Sequence, residues 1–277
     1  MIGIALALAV GATDKVDLRP NADLTIAGVA LVGWVVPELL RDHLVPAHCR
    51  LCDGVDNTGL PGTGSRGSLN GVDAWFHDAM TGWVLSRNTA GVTSDILAYA
   101  LAPVAAIAGA WTTTGPHASE GAGWRAASIV TESALVSGAV VEGVKFIAAR
   151  KRPYVRYGNG EASGTYGVSD VGSHLGFPSG HTAWVTSLGV ALATTASIEE
   201  SAAAPWLWAG AAVGSVTTSA LRMIAEKHYF TDVATGTVIG AACGVVVPLL
   251  HRRGGPLSSG SVSVAAQGPA FALTGMF

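Results

Sequence analysis

Six apolar stretches of helical length constrain what this chain can fold into. They run over 24–42, 94–112, 126–149, 181–197, 206–225 and 231–250. Polar connections separate them. A helix rises about 1.5 Å per residue, so runs of about 20 residues match a bilayer core about 30 Å thick. Charged residues make up only 13% of the chain, about half the share usual in soluble domains. Gly, Ala, Thr and Val dominate the runs, as in close-packed membrane helices. The same composition also suits a tightly packed soluble bundle, and both readings stay open here. Either way the expected fold is all-α, a helical bundle of six core helices. A net charge of −3 argues against a nucleic-acid partner.

The rest of the chain is organised around these runs. Residues 1–23 form an N-terminal segment whose apolar part, 2–12, is too short to span a bilayer and resembles a signal-peptide core. Residues 24–253 read as one helical domain, and 254–277 as a Gly/Ser-rich tail with weak alternation at 261–265. Val72–Leu85 carries Val72, Trp75, Phe76, Met80 and Trp83 near helical spacing, which predicts an added amphipathic helix on the membrane or bundle surface. Ser94 and Asp95 are expected to cap the run that follows them, and Thr231 the last one. Cys49 and Cys52 form a lone C-x-x-C, read as a loop disulfide in an oxidising compartment. Cys243 lies in an apolar run and reads as core.

Chemistry concentrates in three patches. The first is the turn Gly176-Phe-Pro-Ser-Gly-His181. Pro178 stops what precedes it and Ser179 is a good N-cap. The amides of Ser179, Gly180 and His181 would then converge at a helix N-terminus, a ready anion site. Gly180 permits close approach to the backbone, and His181 adds a proton donor. The second patch runs from Lys145 to Arg152-Pro153. Seven residues separate the two cations, which predicts one helical face. The cluster Arg150 to Arg152 also reads as an ordinary solvated basic patch. The third is Arg222-x5-His228-x3-Asp232. Four residues separate His228 from Asp232, so the carboxylate is expected to bond one imidazole nitrogen and fix the tautomer. A lone His–Asp pair of this kind is more often structural. Together the patches supply three cations, a helix N-terminus and two histidines, the set that phosphoryl transfer needs.

Lys145-x6-Arg152-Pro153, Pro178-Ser179-Gly180-His181 and Arg222-x5-His228-x3-Asp232 resemble the three signature motifs of the type 2 phosphatidic acid phosphatase superfamily. One position departs: the family has Ser directly before the third-motif Arg, where this chain has Leu221, with Ser219 two residues earlier. The resemblance implies a metal-free, cofactor-free phosphatase acting on a lipid phosphate or diphosphate, with six membrane spans and all motifs at one end. It implies that His228 is the nucleophile, oriented by Asp232, that His181 is the general acid and then base, and that Lys145, Arg152, Arg222, Ser179 and Gly180 hold the phosphate. A secreted soluble acid phosphatase is the alternative, and a vanadium haloperoxidase a more remote one. With six spans, the motif loops and the Cys pair share one side, expected to be periplasmic or exterior in a bacterial-type cell membrane. Arg252-Arg253 would then be cytoplasmic.

Overall fold

The computed structural model describes residues 14–45, 50, 70–80, 85–115, 118–157, 171–254, 263–267 and 270–274. Cys49, Cys52 and Trp83 lie outside the described residues. The long helices are α1 (Pro20–Leu39), α4 (Arg87–Ile96) continued by a π-type segment (Leu97–Leu101) and α5 (Ala102–Gly109), α6 (Ala122–Ala148), α8 (Gly180–Ile198), α9 (Ala204–Ile224) and α10 (Phe230–Leu250). Short helices α2 (Arg41–Leu44), α3 (Gly71–Met80) and α7 (Pro153–Tyr157) fill the connections. In the tail, β1 (Ser263–Gln267) pairs antiparallel with β2 (Ala270–Thr274), Ser263 opposite Thr274. The architecture is all-α, and the six long helical elements overlap the six apolar stretches.

Four of these elements are long and apolar enough to cross a membrane: Pro20–Leu39, Arg87–Thr112, Ala122–Tyr157 and Phe230–Leu250. Their outward faces are apolar, as at Leu24, Val29, Val32, Val104, Ile147 and Val238. Helix α8 is the central element, packed on α10, α9, α6 and α5. This explains its long buried face from Thr182 to Ala196.

Two close approaches position α8 against α10. A Cβ on Gly236 would lie 2.5 Å from the Ser179 carbonyl oxygen, and one on Gly240 would run into that of Ala183. Only hydrogen at these positions lets the two backbones meet, the small-residue contact that membrane interfaces favour. The Ser179 amide completes the contact by donating to the Asp232 carbonyl at 2.9 Å.

Several local expectations are corrected. Helix α4 is capped by Ser86, whose hydroxyl accepts from the Thr89 amide at 3.1 Å. Ser94 and Asp95 therefore sit inside the helix, not at its start. Helix α10 begins at Phe230, with Asp232 accepting from the Tyr229 amide at 2.7 Å. The Thr231 amide and hydroxyl go to Asp73 instead. Helix α3 lies on the bundle surface as expected, with Val72 and Trp75 exposed, and its inner face is anchored. Its Asp73 is fully buried against Arg150 and Thr231, and Phe76 stacks on Phe230 at 3.9 Å. Cys243 is partly buried with a free thiol.

Candidate active site

Chain direction alternates through the long helices. The C-termini of α6 and α9 and the N-termini of α8 and α10 therefore meet at one end of the bundle, which brings the three motif patches together. A cavity of about 320 Å³ opens there. Lys145, Arg152, Gly180, His181, Arg222 and His228 line its polar part. Trp34, Val35 and Leu39 of α1, with Trp184 of α8, form an apolar wall. Trp34 packs on Trp184 with ring centroids 4.7 Å apart.

Lys145 and Arg152 reach the cavity by a route that spacing did not foresee. Helix α6 ends at Ala148, and Ala149 turns left-handed (φ 44°, ψ 48°) with its amide on the Lys145 carbonyl at 2.8 Å. Pro153 disfavours helix at the residue before it. Arg152 thus leaves the helix, and the two cations share a cavity without sharing a helical face. The Arg152 Nε donates to the Gly172 carbonyl at 2.7 Å, and Nη1 to that of Lys227 at 2.9 Å, 3.3 Å from His228 Nε2. Lys145 Nζ pairs with Glu142 and sits where a Gly180 Cβ would approach it to 3.2 Å.

Arg150 and Lys151 are buried, so the solvated-patch reading of this cluster fails. Arg150 donates to Asp73 at 2.8 Å, Asp232 at 2.6 Å and Thr231 at 2.7 Å. It lies over the Tyr229 ring at 4.4 Å. Asp73 accepts from Arg150, Thr231 and Asn70. Burial alone would raise its pKa, but these hydrogen bonds outweigh burial and hold it below the ordinary carboxylate value.

His228 is the buried centre of the site. Its Nδ1 meets the Gly176 carbonyl at 2.7 Å. A carbonyl only accepts, so Nδ1 carries the proton and Nε2 presents its lone pair. The expected Asp232 hydrogen bond is absent: Asp232 Oδ2 stands 3.8 Å from Nδ1 and accepts from the Tyr229 amide instead. The spacing of four suggested one helical turn, but helix α10 starts only at Phe230, so His228 precedes it. Burial first, then the Arg152 and Arg222 charges, push the His228 pKa well below its ordinary value.

His181 lies on the first turn of α8. Its Nε2 is 2.7 Å from Asp95 Oδ1, and its ring meets Tyr99 edge-on at 4.7 Å. Arg222 Nη1 donates to the same Asp95 oxygen and to Ser94 Oγ, both at 3.0 Å. Asp95 thus ties together a histidine of α8 and an arginine of α9. The sequence reading missed this role. The available signal was a carboxylate inside an apolar run.

Ser179 does not line the cavity. It is fully buried, its amide goes to Asp232, and its hydroxyl caps α8 at the Thr182 amide, 3.4 Å away. The amides of Gly180 and His181 open the helix, where N–H groups lack intrahelical acceptors. Leu221 packs in an apolar cluster with Ala90, Ile224 and Ala225. Ser219 faces Thr182 at 3.5 Å. Neither supplies the hydroxyl that the family pattern places beside the third-motif arginine.

Residues 126–255 match the family model described as the PAP2 superfamily. This stretch, just under half of the chain, is similar to that superfamily. The matched stretch contains all three motif patches and excludes Asp95 and the α1 wall. The similarity supports phosphatase-type hydrolase activity as the general chemistry. No curated protein and no solved structure gave a significant match to the chain.

Proposed function

We propose that this protein is a membrane phosphatase that hydrolyses a lipid phosphate or diphosphate through a phosphohistidine on His228, without a metal in the reaction. The observation that carries the reading is one cavity in which the unprotonated Nε2 of His228, the His181 ring and three cations face the same space beside an apolar wall. Substrate phosphate binds against Lys145, Arg152 and Arg222, with the Gly180 amide at the positive end of α8. His228 Nε2 attacks phosphorus, an N–P bond forms and the P–O bond to the leaving group breaks. His181 protonates the departing oxygen. Water then attacks phosphorus, giving its proton to His181, and the N–P bond breaks to release phosphate. Both histidines end as they began.

The wall of Trp34, Val35 and Leu39 supports a lipid substrate, because an acyl or prenyl chain leaving the cavity would lie along it. Asp95 holds His181 and Arg222, and the Gly176 carbonyl holds His228. Asp232 supports the His228 segment through Arg150 and Tyr229. The proposed placement is a bacterial-type cell membrane, with the site on the periplasmic or exterior face. The test is phosphate release from lipid phosphates, lipid diphosphates and soluble phosphomonoesters, measured in short assays with a strong chelator present. Release from lipid substrates that survives the chelator is expected. Activity confined to soluble esters would remove the lipid reading, and loss restored by a divalent metal would remove the mechanism. Release of the protein by a carbonate wash of membranes would leave a soluble secreted enzyme.

A further inference from the structure

At the opposite end of the bundle a second polar cluster has no part in this chemistry. Helix α10 has 21 residues, so its ends lie roughly 30 Å apart. His228 precedes its start, and His251 follows its end. There Asp23 of α1, Glu132 of α6 and His251 converge, all their ligand atoms within 4.8 Å of one another. Glu132 and His251 side chains are 6% and 5% exposed, and Asp23 is 15% exposed.

The protonation pattern makes this cluster unusual. His251 Nδ1 lies 2.9 Å from the Val247 carbonyl and donates to it, which leaves Nε2 as the ring nitrogen that faces the two carboxylates. Nε2 is 3.2 Å from Asp23 Oδ1 and 3.5 Å from Glu132 Oε2, yet meets neither with hydrogen-bond geometry. It points between them. Two carboxylate oxygens and an unpartnered ring nitrogen therefore face one point, two of the three on nine-tenths-buried side chains, and a cation between them would offset the buried charge. Arg19 does not fill the gap, since its guanidinium donates to the Leu250 carbonyl at 2.6 Å.

We propose that Asp23, Glu132 and His251 bind a divalent transition-metal ion through one imidazole and two carboxylate ligands. Bonds of about 2.0–2.2 Å put tetrahedral ligands roughly 3.3–3.6 Å apart, and the two separations from His251, 3.2 and 3.5 Å, lie close to this. The Val247 carbonyl on the far ring nitrogen is the outer partner that metal-bound histidines use. A cavity of about 490 Å³, lined by Asp23, Glu132, Leu18 and Trp124 among others, reaches the cluster and leaves room for a water ligand. The ion would add α6 to two segments already clasped by backbone: the Asp17 amide donates to the His251 carbonyl, and the Arg253 amide to that of Lys15. Its role is structural, fastening the N-terminal segment across α6 and α10.

The test is Co²⁺ binding by tag-free, chelator-stripped full-length protein in detergent, read by visible d–d absorption and displaced by Zn²⁺. One equivalent is expected, with a four-coordinate spectrum and a higher melting temperature in the metal-loaded protein. Glu132→Gln keeps the side-chain shape, and His251→Ala removes the nitrogen. Each should weaken binding by more than the roughly 10–100-fold that outer-shell changes cause, abolish the metal-linked melting shift, and leave phosphate release intact. Absence of a stoichiometric Co²⁺ spectrum would overturn the proposal. So would a spectrum and affinity unchanged in both variants, which would assign the ion to other ligands.

Discussion

Gly236→Ala tests whether helix packing sets the geometry of the catalytic end. The new Cβ would stand 2.5 Å from the Ser179 carbonyl oxygen. Contacts under 3.0 Å are essentially never tolerated, so the two backbones must part by about half an ångström, and by about 0.9 Å to reach ordinary contact. The atom displaced belongs to the N-cap of α8, next to Gly180 and His181. The hydrogen bond from Ser179 to the Asp232 carbonyl stretches with it. Overpacking of this kind costs about 1–3 kcal/mol. Misplacement of reacting groups by about 1 Å costs roughly 100-fold in rate, so about half an ångström is expected to cost roughly tenfold. The assay is kcat and KM for phosphate release, with melting temperature, on Gly236→Ala and on a control, Gly210→Ala. Gly210 is an exposed α9 residue with nothing within 4 Å of an added Cβ. There alanine should gain up to about 0.8–1.0 kcal/mol from helix propensity and leave kcat unchanged. If Gly236→Ala matches the control in both stability and rate, the link from glycine contact to catalytic geometry is refuted.

Other substitutions separate the roles within the site. His228→Ala should abolish the covalent phosphoenzyme in rapid-quench labelling, whereas His181→Ala should slow a poor leaving group far more than an activated aryl phosphate; a phosphohistidine persisting in His228→Ala would reverse the roles. Asp95→Asn should lower kcat by roughly 10–100-fold with a smaller change in KM, the range for a group that orients another, since Asp95 is half exposed and pairs with His181 and Arg222; an unchanged kcat would remove its positioning role. Asp73→Asn breaks a fully buried ion pair with Arg150 and should cost about 3 kcal/mol, or roughly 6–12 °C in melting temperature, because Arg150 keeps Asp232. The Asp73 pKa is depressed below 3.8 on folding, so its contribution is complete above that value and is lost as pH falls through the folded pKa; a gap between wild type and variant that widens in acid would contradict this.

What the sequence could reveal divides along a physical line. Six long apolar runs and three motif patches are local patterns, and they were legible. So was the clustering of the motifs, because alternating helices put every second terminus at the same end. The contacts that orient the motif residues are not local. Asp95 meets His181 across 86 positions and Asp73 meets Arg150 across 77, and nothing in the spacing announces either. The apolar wall from α1 is likewise invisible, since Trp34 and Leu39 look like any residues of a span. Glu132 and Glu142 are ionisable groups inside an apolar helix, a signal the sequence does carry. The structure gives them different partners, His251 for one and Lys145 for the other. The Gly236 and Gly240 spacing was present in the sequence, but only the Ser179 and Ala183 carbonyls show what it accommodates.

The partner of His228 Nδ1 has a chemical consequence. A carboxylate there would fix the tautomer and also favour the imidazolium, raising the pKa. The Gly176 carbonyl fixes the same tautomer as a neutral acceptor, with a weaker pull on the proton. Asp232 cannot act as the close partner while it accepts from the Tyr229 amide and Arg150. Burial and the Arg152 and Arg222 charges then dominate and keep the ring neutral. A nucleophile held neutral in this way stays competent in acid, where an unperturbed histidine would be mostly protonated. For stability the sign is the same as for any buried base: the unfolded chain binds the extra proton, so the folded state loses ground as pH falls below about 6.5. For catalysis the expected outcome is an acid limb of kcat/KM well below pH 6.5, measured within the pH range where the protein stays folded. In Gly176→Pro the carbonyl remains but the amide that donates to Arg150 at 2.8 Å is lost. That variant should shift the His228 segment and lower kcat without restoring an ordinary histidine limb unless the site also opens to water. A wild-type limb at or above 6.5 would mean that the imidazole is not held neutral, and the carbonyl-oriented nucleophile would have to be abandoned.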